Sequence, residues 1–116
     1  RAPGTAHQRF EGNWVNGQRD GYGHSYSGGE SYQGFWKRGL PEGDGTLTYR
    51  NGDKLDGIFE NGHAQGRCHL DMVGGDRFTG NFIAGIKHGT ASVVTADGEV
   101  WEEIWENAAL ISRRRL

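Results

Sequence analysis

The sequence holds one cysteine, two prolines and no apolar run longer than a few residues. A single cysteine excludes an internal disulfide framework and fits a reducing compartment, so the chain reads as intracellular, on the cytoplasmic side of any membrane it serves. The short apolar runs exclude a transmembrane helix. The chain opens on Arg1 with neither a signal peptide nor an initiating methionine, which reads as a fragment of a longer protein, and an organelle is therefore not excluded. No G-x-S-x-G elbow, H-E-x-x-H pair or Cys-x-x-Cys occurs, and Ser, His and acidic residues share no common phase, which argues against catalysis and against any cofactor. Basic residues are also scarce where they would matter. Between Phe10 and Asn107 lie all 15 acids but only eight of the 13 Lys and Arg residues, a net charge of −7 over that span. Such a balance disfavours nucleic acid and repels an anionic lipid surface.

What the chain has in excess is glycine, 21 residues of 116. Without a G-X-Y period, and with 11% aromatics, this is neither collagen nor a disordered segment. The stretch "NGQRDGYGHS" (16–25) invites a test as a phosphate cradle. It has no Lys-Ser/Thr after its last glycine, no third glycine in dinucleotide spacing and no helical pattern behind it. The glycines recur instead. "FEGNWVNGQRDGYG", "YQGFWKRGLPEGDG", "LDGIFENGHAQGRC" and "FTGNFIAGIKHGTA" start at Phe10, Tyr32, Leu55 and Phe78, and "WEEIWENA" follows from Trp101, a spacing of 22 and then 23 residues. A loop that returns four times is scaffold.

Each first half alternates, with Phe10, Gly12 and Trp14 on one face and Glu11, Asn13 and Val15 on the other, which predicts a strand. The second halves alternate as well, through Gly45, Leu47 and Tyr49 and their equivalents. The G-x-x-x-G between the halves predicts a hairpin connection. "RNGD", "GGDR" and "ADGE" predict turns between units, because Asn, Asp and Gly tolerate positive φ. Hairpins stacked along a line then share one core.

The pattern Y-x-G-x-W/F-x-x-G-x-x-x-G-x-G resembles the MORN repeat, and four units plus a partial one cover 10–107 (10–31, 32–54, 55–77, 78–100 and 101–107). The resemblance implies an all-β, elongated, twisted ribbon of stacked antiparallel hairpins with no enzymatic activity. It implies a scaffold or adaptor role in cytoskeletal, membrane-junction or organelle-division assemblies, by self-association or by docking another protein. It also implies phosphoinositide binding as the alternative function, a membrane-recruitment module. Leu55 departs from the leading aromatic, and Glu103 and Ala108 replace glycines in the last unit. Residues 1–9 read as a linker or the remnant of an earlier repeat. The tail "NAALISRRR" contains helix formers without Gly or Pro and predicts a short C-terminal helix and basic tail over 108–116, with Leu110 and Ile111 covering the last hairpin.

Three sets of residues are candidates for function. Phe10, Trp14, Tyr32, Trp36, Phe59, Phe78, Phe82, Trp101 and Trp105 share the phase of the packing glycines and are expected to form a structural aromatic ladder. Val15, Phe35, Ile58, Ile83 and Ile104 fall on the opposite face, where they are either covered by loops, helix and twist or form an apolar stripe for a partner protein or a second copy of the chain, a homodimer. Arg113, Arg114 and Arg115 offer weak contact with acidic phospholipid. His63, Cys68 and His69 stand near one another in sequence, but adjacent Cys68 and His69 should point to opposite faces of a strand, so no metal site is expected.

Overall fold

A computed structural model describes residues 8–116, which form a single open sheet of ten antiparallel strands with no helix among them. The first hairpin is β1 (Gln8–Val15) with β2 (Gln18–Ser27), and the second is β3 (Glu30–Lys37) with β4 (Leu40–Thr48). β5 (Lys54–Glu60) with β6 (His63–Asp71) and β7 (Arg77–Ile83) with β8 (Ile86–Val94) follow. β9 (Val100–Glu106) and β10 (Ala109–Arg115) close the order. Every strand pairs only with its sequence neighbours, so the spatial order is the chain order. Ten strands at about 4.8 Å spacing give roughly 43 Å, and the molecule measures 50 × 25 × 21 Å. The result is the elongated ribbon that the repeat period predicts.

The hairpin tips are two-residue turns with positive φ at both positions: Asn16–Gly17, Arg38–Gly39, Asn61–Gly62, Ala84–Gly85 and Asn107–Ala108. That backbone twist matches the right-handed twist of the flanking strands. In the three middle tips both N–H groups are tied to the hairpin before them. Gly39, Gly62 and Gly85 donate to the carbonyls of Arg19, Pro41 and Ala64 at 2.9–3.0 Å. Arg38, Asn61 and Ala84 donate to side-chain oxygens of Asp20, Glu42 and Gln65. Units are therefore stitched at their tips as well as along their strands.

The G-x-x-x-G reading needs refinement. Only its first glycine belongs to the tip. The second, Gly21, Gly43, Gly66 or Gly89, lies inside the following strand at positive φ. There the strand carries two residues more than its partner: Gly12 pairs Gly23 while Trp14 pairs Arg19. An even insertion leaves the alternation of faces intact.

The expected C-terminal helix is absent. Residues 109–115 form β10, in register with β9 from Ala109 opposite Glu106 to Arg115 opposite Trp101. Asn107–Ala108 occupies the tip position of Asn61–Gly62, and an edge of β9 left unpaired would expose its backbone groups to water. Tip geometry and ladder hydrogen bonds therefore override helix propensity. Leu110 pairs Trp105 and Ile111 sits at a bulge, both exposed rather than laid over the hairpin. The reading of residues 1–9 lies largely outside the described residues, and only Gln8 and Arg9 are seen, at the start of β1.

Candidate interaction surfaces

One face of the ribbon carries the rings. Phe10, Tyr32, Leu55, Phe78 and Trp101 occupy one row, linked by pairing through Ser25, Leu47, Leu70 and Val93. Trp36, Phe59, Phe82 and Trp105 form a second row. Tyr32, Trp36, Phe59, Phe78 and Phe82 are buried, while Phe10, Trp101 and Trp105 are partly buried and pack against them. Trp14 is the exception in this set, 57% exposed on the first strand. Rings meet edge to face, with Tyr32 5.2 Å from Trp36 and 4.9 Å from Phe59. The Trp36 indole N–H donates to the Gly23 carbonyl at 3.2 Å, so its polar tip is satisfied.

Glycines make room for the rings. A Cβ on Gly23 would overlap the Phe10 ring, and one on Gly45 would overlap the Tyr32 ring and hydroxyl. The Tyr32 hydroxyl donates to the Phe35 carbonyl at 3.1 Å. Burial, reinforced by nearby Asp44, pushes its pKa up to about 12.

The other face is polar along its middle. Gln33, Thr46, Asp56, His69, Thr79, Ser92 and Glu102 line up across successive strands, with Thr46 donating to Asp56 and His69 Nδ1 2.9 Å from the Thr79 hydroxyl. Next to this row the five stripe residues are all exposed, from 39% for Ile104 to 51% for Val15, but they do not form one stripe. Phe35 and Ile58 sit together, on strands β3 and β5, around a cavity of about 410 Å³. Asn81 holds the equivalent position on β7 and separates them from Ile104. Ile83 pairs with Ile86 beside the Ala84–Gly85 tip, and Val15 pairs with Gln18 at the far end.

Cys68 is fully buried on the ring face and His69 lies on the polar face, as alternation requires. Burial raises the thiol's pKa above its ordinary value. His63 is at the tip edge, opposite Glu60.

The MORN repeat model matches residues 10–29, 32–54 and 78–100, more than half of the chain. The chain belongs to the MORN repeat family. No curated protein matches it. In this MORN array the unit 55–77 falls between matched segments, and it is the unit where Leu55 replaces the ring and Cys68 replaces a glycine. Its strands nonetheless keep the register of their neighbours.

The three arginines lie on the last strand of the MORN array. Arg113 Nε is 3.5 Å from Glu103, Arg114 Nη2 is 3.0 Å from Glu102, and Arg115 Nη2 is 3.5 Å from Glu99. Arg113 also stacks over Trp101 at 4.5 Å. Glu103, which stands where a repeat glycine would, is buried and accepts from the Trp105 indole at 2.9 Å.

Sequence reasoning missed Tyr22. Its ring lies edge to face on Phe35 at 5.4 Å and is half exposed. The signal was available in the second strands, since Tyr22 has the repeat phase of Asp44 and Arg67, both of which line the Phe35–Ile58 cavity.

Proposed function

We propose that this MORN array is a non-enzymatic scaffold module that self-associates through the patch formed by Tyr22, Phe35 and Ile58. The carrying observation is that these three large side chains, each 46–50% exposed, cluster beside the polar middle row of the sheet face. Exposed apolar patches with polar rims mark interaction surfaces.

A second copy suits the patch because its rim is self-complementary. Asp44 on β4 pairs with Ile58 on β5, Arg67 on β6 lines the same cavity, and neither makes an ion pair among the described residues. A two-fold axis at Ile58, relating antiparallel ribbons, sets Asp44 of each copy against the partner's cation and Ile58 against its own counterpart. Such a dimer suits the cytoskeletal, membrane-junction or organelle-division setting that the family resemblance implies. The arginine ion pairs argue against lipid recruitment as the primary role.

Light scattering after size exclusion tests this. The chain should dimerise, Phe35→Glu with Ile58→Glu should give a folded monomer, and Arg67→Asp should weaken the dimer while Asp44→Arg added to it restores it. A monomeric wild type, or a dimer indifferent to these changes, sinks the reading; a different protein lost with the same variants would move the patch to a hetero-complex.

A further inference from the structure

An asparagine followed by glycine is open to a reaction that needs no enzyme. With no Cβ on the glycine, its backbone nitrogen can reach the carbonyl carbon of the asparagine side chain. The chain carries three such pairs, Asn16–Gly17, Asn51–Gly52 and Asn61–Gly62, and the fold treats them differently.

Two of the pairs are held. The Gly62 N–H donates to the Pro41 carbonyl at 3.0 Å and the Asn61 N–H to Glu42 at 3.1 Å, so the nitrogen that would attack is occupied in the stitching between hairpins. The Gly52 N–H donates to the Tyr49 carbonyl at 2.9 Å. The Asn51 side chain is pinned as well: its Oδ1 accepts from the Asp53 N–H at 3.0 Å and its Nδ2 donates to the Asp53 carboxylate at 3.2 Å. Attack at either site requires these bonds to break first, and its rate then scales with the small open fraction.

Asn16–Gly17 lacks these restraints. β1 is the first strand of the sheet order, and among the described residues neither N–H of its tip nor the Asn16 side chain makes a hydrogen bond. Residues 11–18 are all exposed, and a strand paired on one side only is among the first to open. Asn107–Ala108, at the other end of the ribbon, makes no stitching bonds among the described residues either, but there the Ala108 Cβ stands beside the nitrogen and hinders its attack.

We infer that Asn16 is a site of spontaneous modification, converting to aspartate and isoaspartate well ahead of Asn51 and Asn61. The Gly17 nitrogen gives its proton to solvent base and bonds to Asn16 Cγ, while the side-chain nitrogen takes up a proton and leaves as ammonia. Water then opens the cyclic imide at either carbonyl. One opening yields aspartate. The other yields isoaspartate, whose extra backbone carbon lengthens a tip that joins Val15 to Gln18 through two residues. Such a tip no longer fits its turn, so β1 loosens from β2 while β2 keeps its pairing with β3. Either product adds a negative charge. The inference does not depend on the Phe35–Ile58 patch.

Ageing the purified chain in mildly alkaline buffer, followed by peptide mapping with mass spectrometry, tests it. In the folded chain Asn16 should convert several-fold faster than Asn51 or Asn61, with isoaspartate told from aspartate by peptide fragmentation. In guanidinium chloride the three rates should converge, because the glycine that permits each reaction is common to all. Gly17→Ala should slow Asn16 several-fold, and Ala108 at φ 66° shows that a tip holds alanine in this place. Hydrogen exchange should be faster in β1 of the aged chain and unchanged in β3 to β8. Equal rates at the three sites when folded, faster loss of Asn51 or Asn61, or the same ranking in denaturant as in buffer overturns the proposal. So does a Gly17→Ala chain that converts as fast as the wild type, and unchanged exchange in β1 overturns the loosening.

Discussion

Leu55 and Cys68 lie together in the buried core of the third unit and fill the volume that the Tyr32 ring fills alone, over Gly45, in the second. A Cβ on Gly57 would run into the Cys68 sulfur, just as one on Gly45 would run into Tyr32. Ring plus glycine and leucine plus cysteine are thus two solutions to one packing problem. Cys68→Gly should cost about 1–3 kcal/mol by opening a void, and Leu55→Phe should cost a similar amount by overpacking against the sulfur. The double variant should be more stable than the sum of its parts predicts, a coupling readable in urea unfolding. Strict additivity would separate the two side chains.

Trp36 and Trp14 share a repeat phase and differ in burial. Trp36→Ala should cost about 3–5 kcal/mol, as for a buried aromatic, and Trp14→Ala distinctly less, because its ring is 57% exposed. Equal shifts in melting temperature would mean that the first unit is packed as tightly as the second.

How far the sequence can be read follows from these residues. The ladder is legible because two periods, 2 along the strand and 23 along the chain, both point Tyr32, Phe59 and Phe78 to one side. The patch was only half legible: Phe35 and Ile58 share a phase within first strands, but placing Tyr22 against them requires the β2–β3 register, which a turn of two glycines sets. β10 was misread because residue composition favours a helix locally, whereas the strand depends on pairing with β9 and on Asn107–Ala108 adopting positive φ without a glycine. Strand pairing is what single-segment propensity omits.

Alkaline titration should report Tyr32. Its folded pKa of about 12 exceeds the unfolded value near 10, so the folded state keeps a proton that the unfolded state releases. Stability is intact below pH 10 and falls as pH rises from 10 to 12. Burial raises Tyr49 in the same direction, so the wild type should lose stability through both groups. Tyr32→Phe should lower stability at pH 8, where the hydroxyl still donates to Phe35, yet flatten the decline above pH 10. An equally steep decline in the variant would assign the effect elsewhere.

The tip Ala84–Gly85 puts an alanine at φ 50°, where Asn61 and Asn107 sit in sister tips at 52°. Asn adopts this region at lower cost than alanine. Ala84→Asn should therefore raise stability by about 0.5–1 kcal/mol, seen as a higher midpoint in urea at unchanged slope. A lower midpoint would show that Ala84 has a packing role that its exposure does not suggest.

The arginines give the last test. Arg113, Arg114 and Arg115 each have a carboxylate of β9 or the preceding turn within 3.5 Å, so an anionic membrane must compete with the chain's own acids. Near an anionic surface an arginine gains about 1 kcal/mol, and exposed ion pairs are worth up to about the same, so detaching them leaves little net attraction. The remainder of the array, at −7, opposes it further. The wild type should stay in the supernatant when sedimented with phosphatidylserine vesicles at physiological salt. Glu99→Gln with Glu102→Gln removes two partners and two negative charges while keeping side-chain shape, and should raise the vesicle-bound fraction several-fold at low salt, with the gain fading as the Debye length shrinks. Glu103 must be left alone, since it is buried and holds the Trp105 indole. If the wild type sediments with vesicles as readily as the variant, the ion pairs do not mask the arginines and membrane recruitment, the alternative function, gains ground over the scaffold reading.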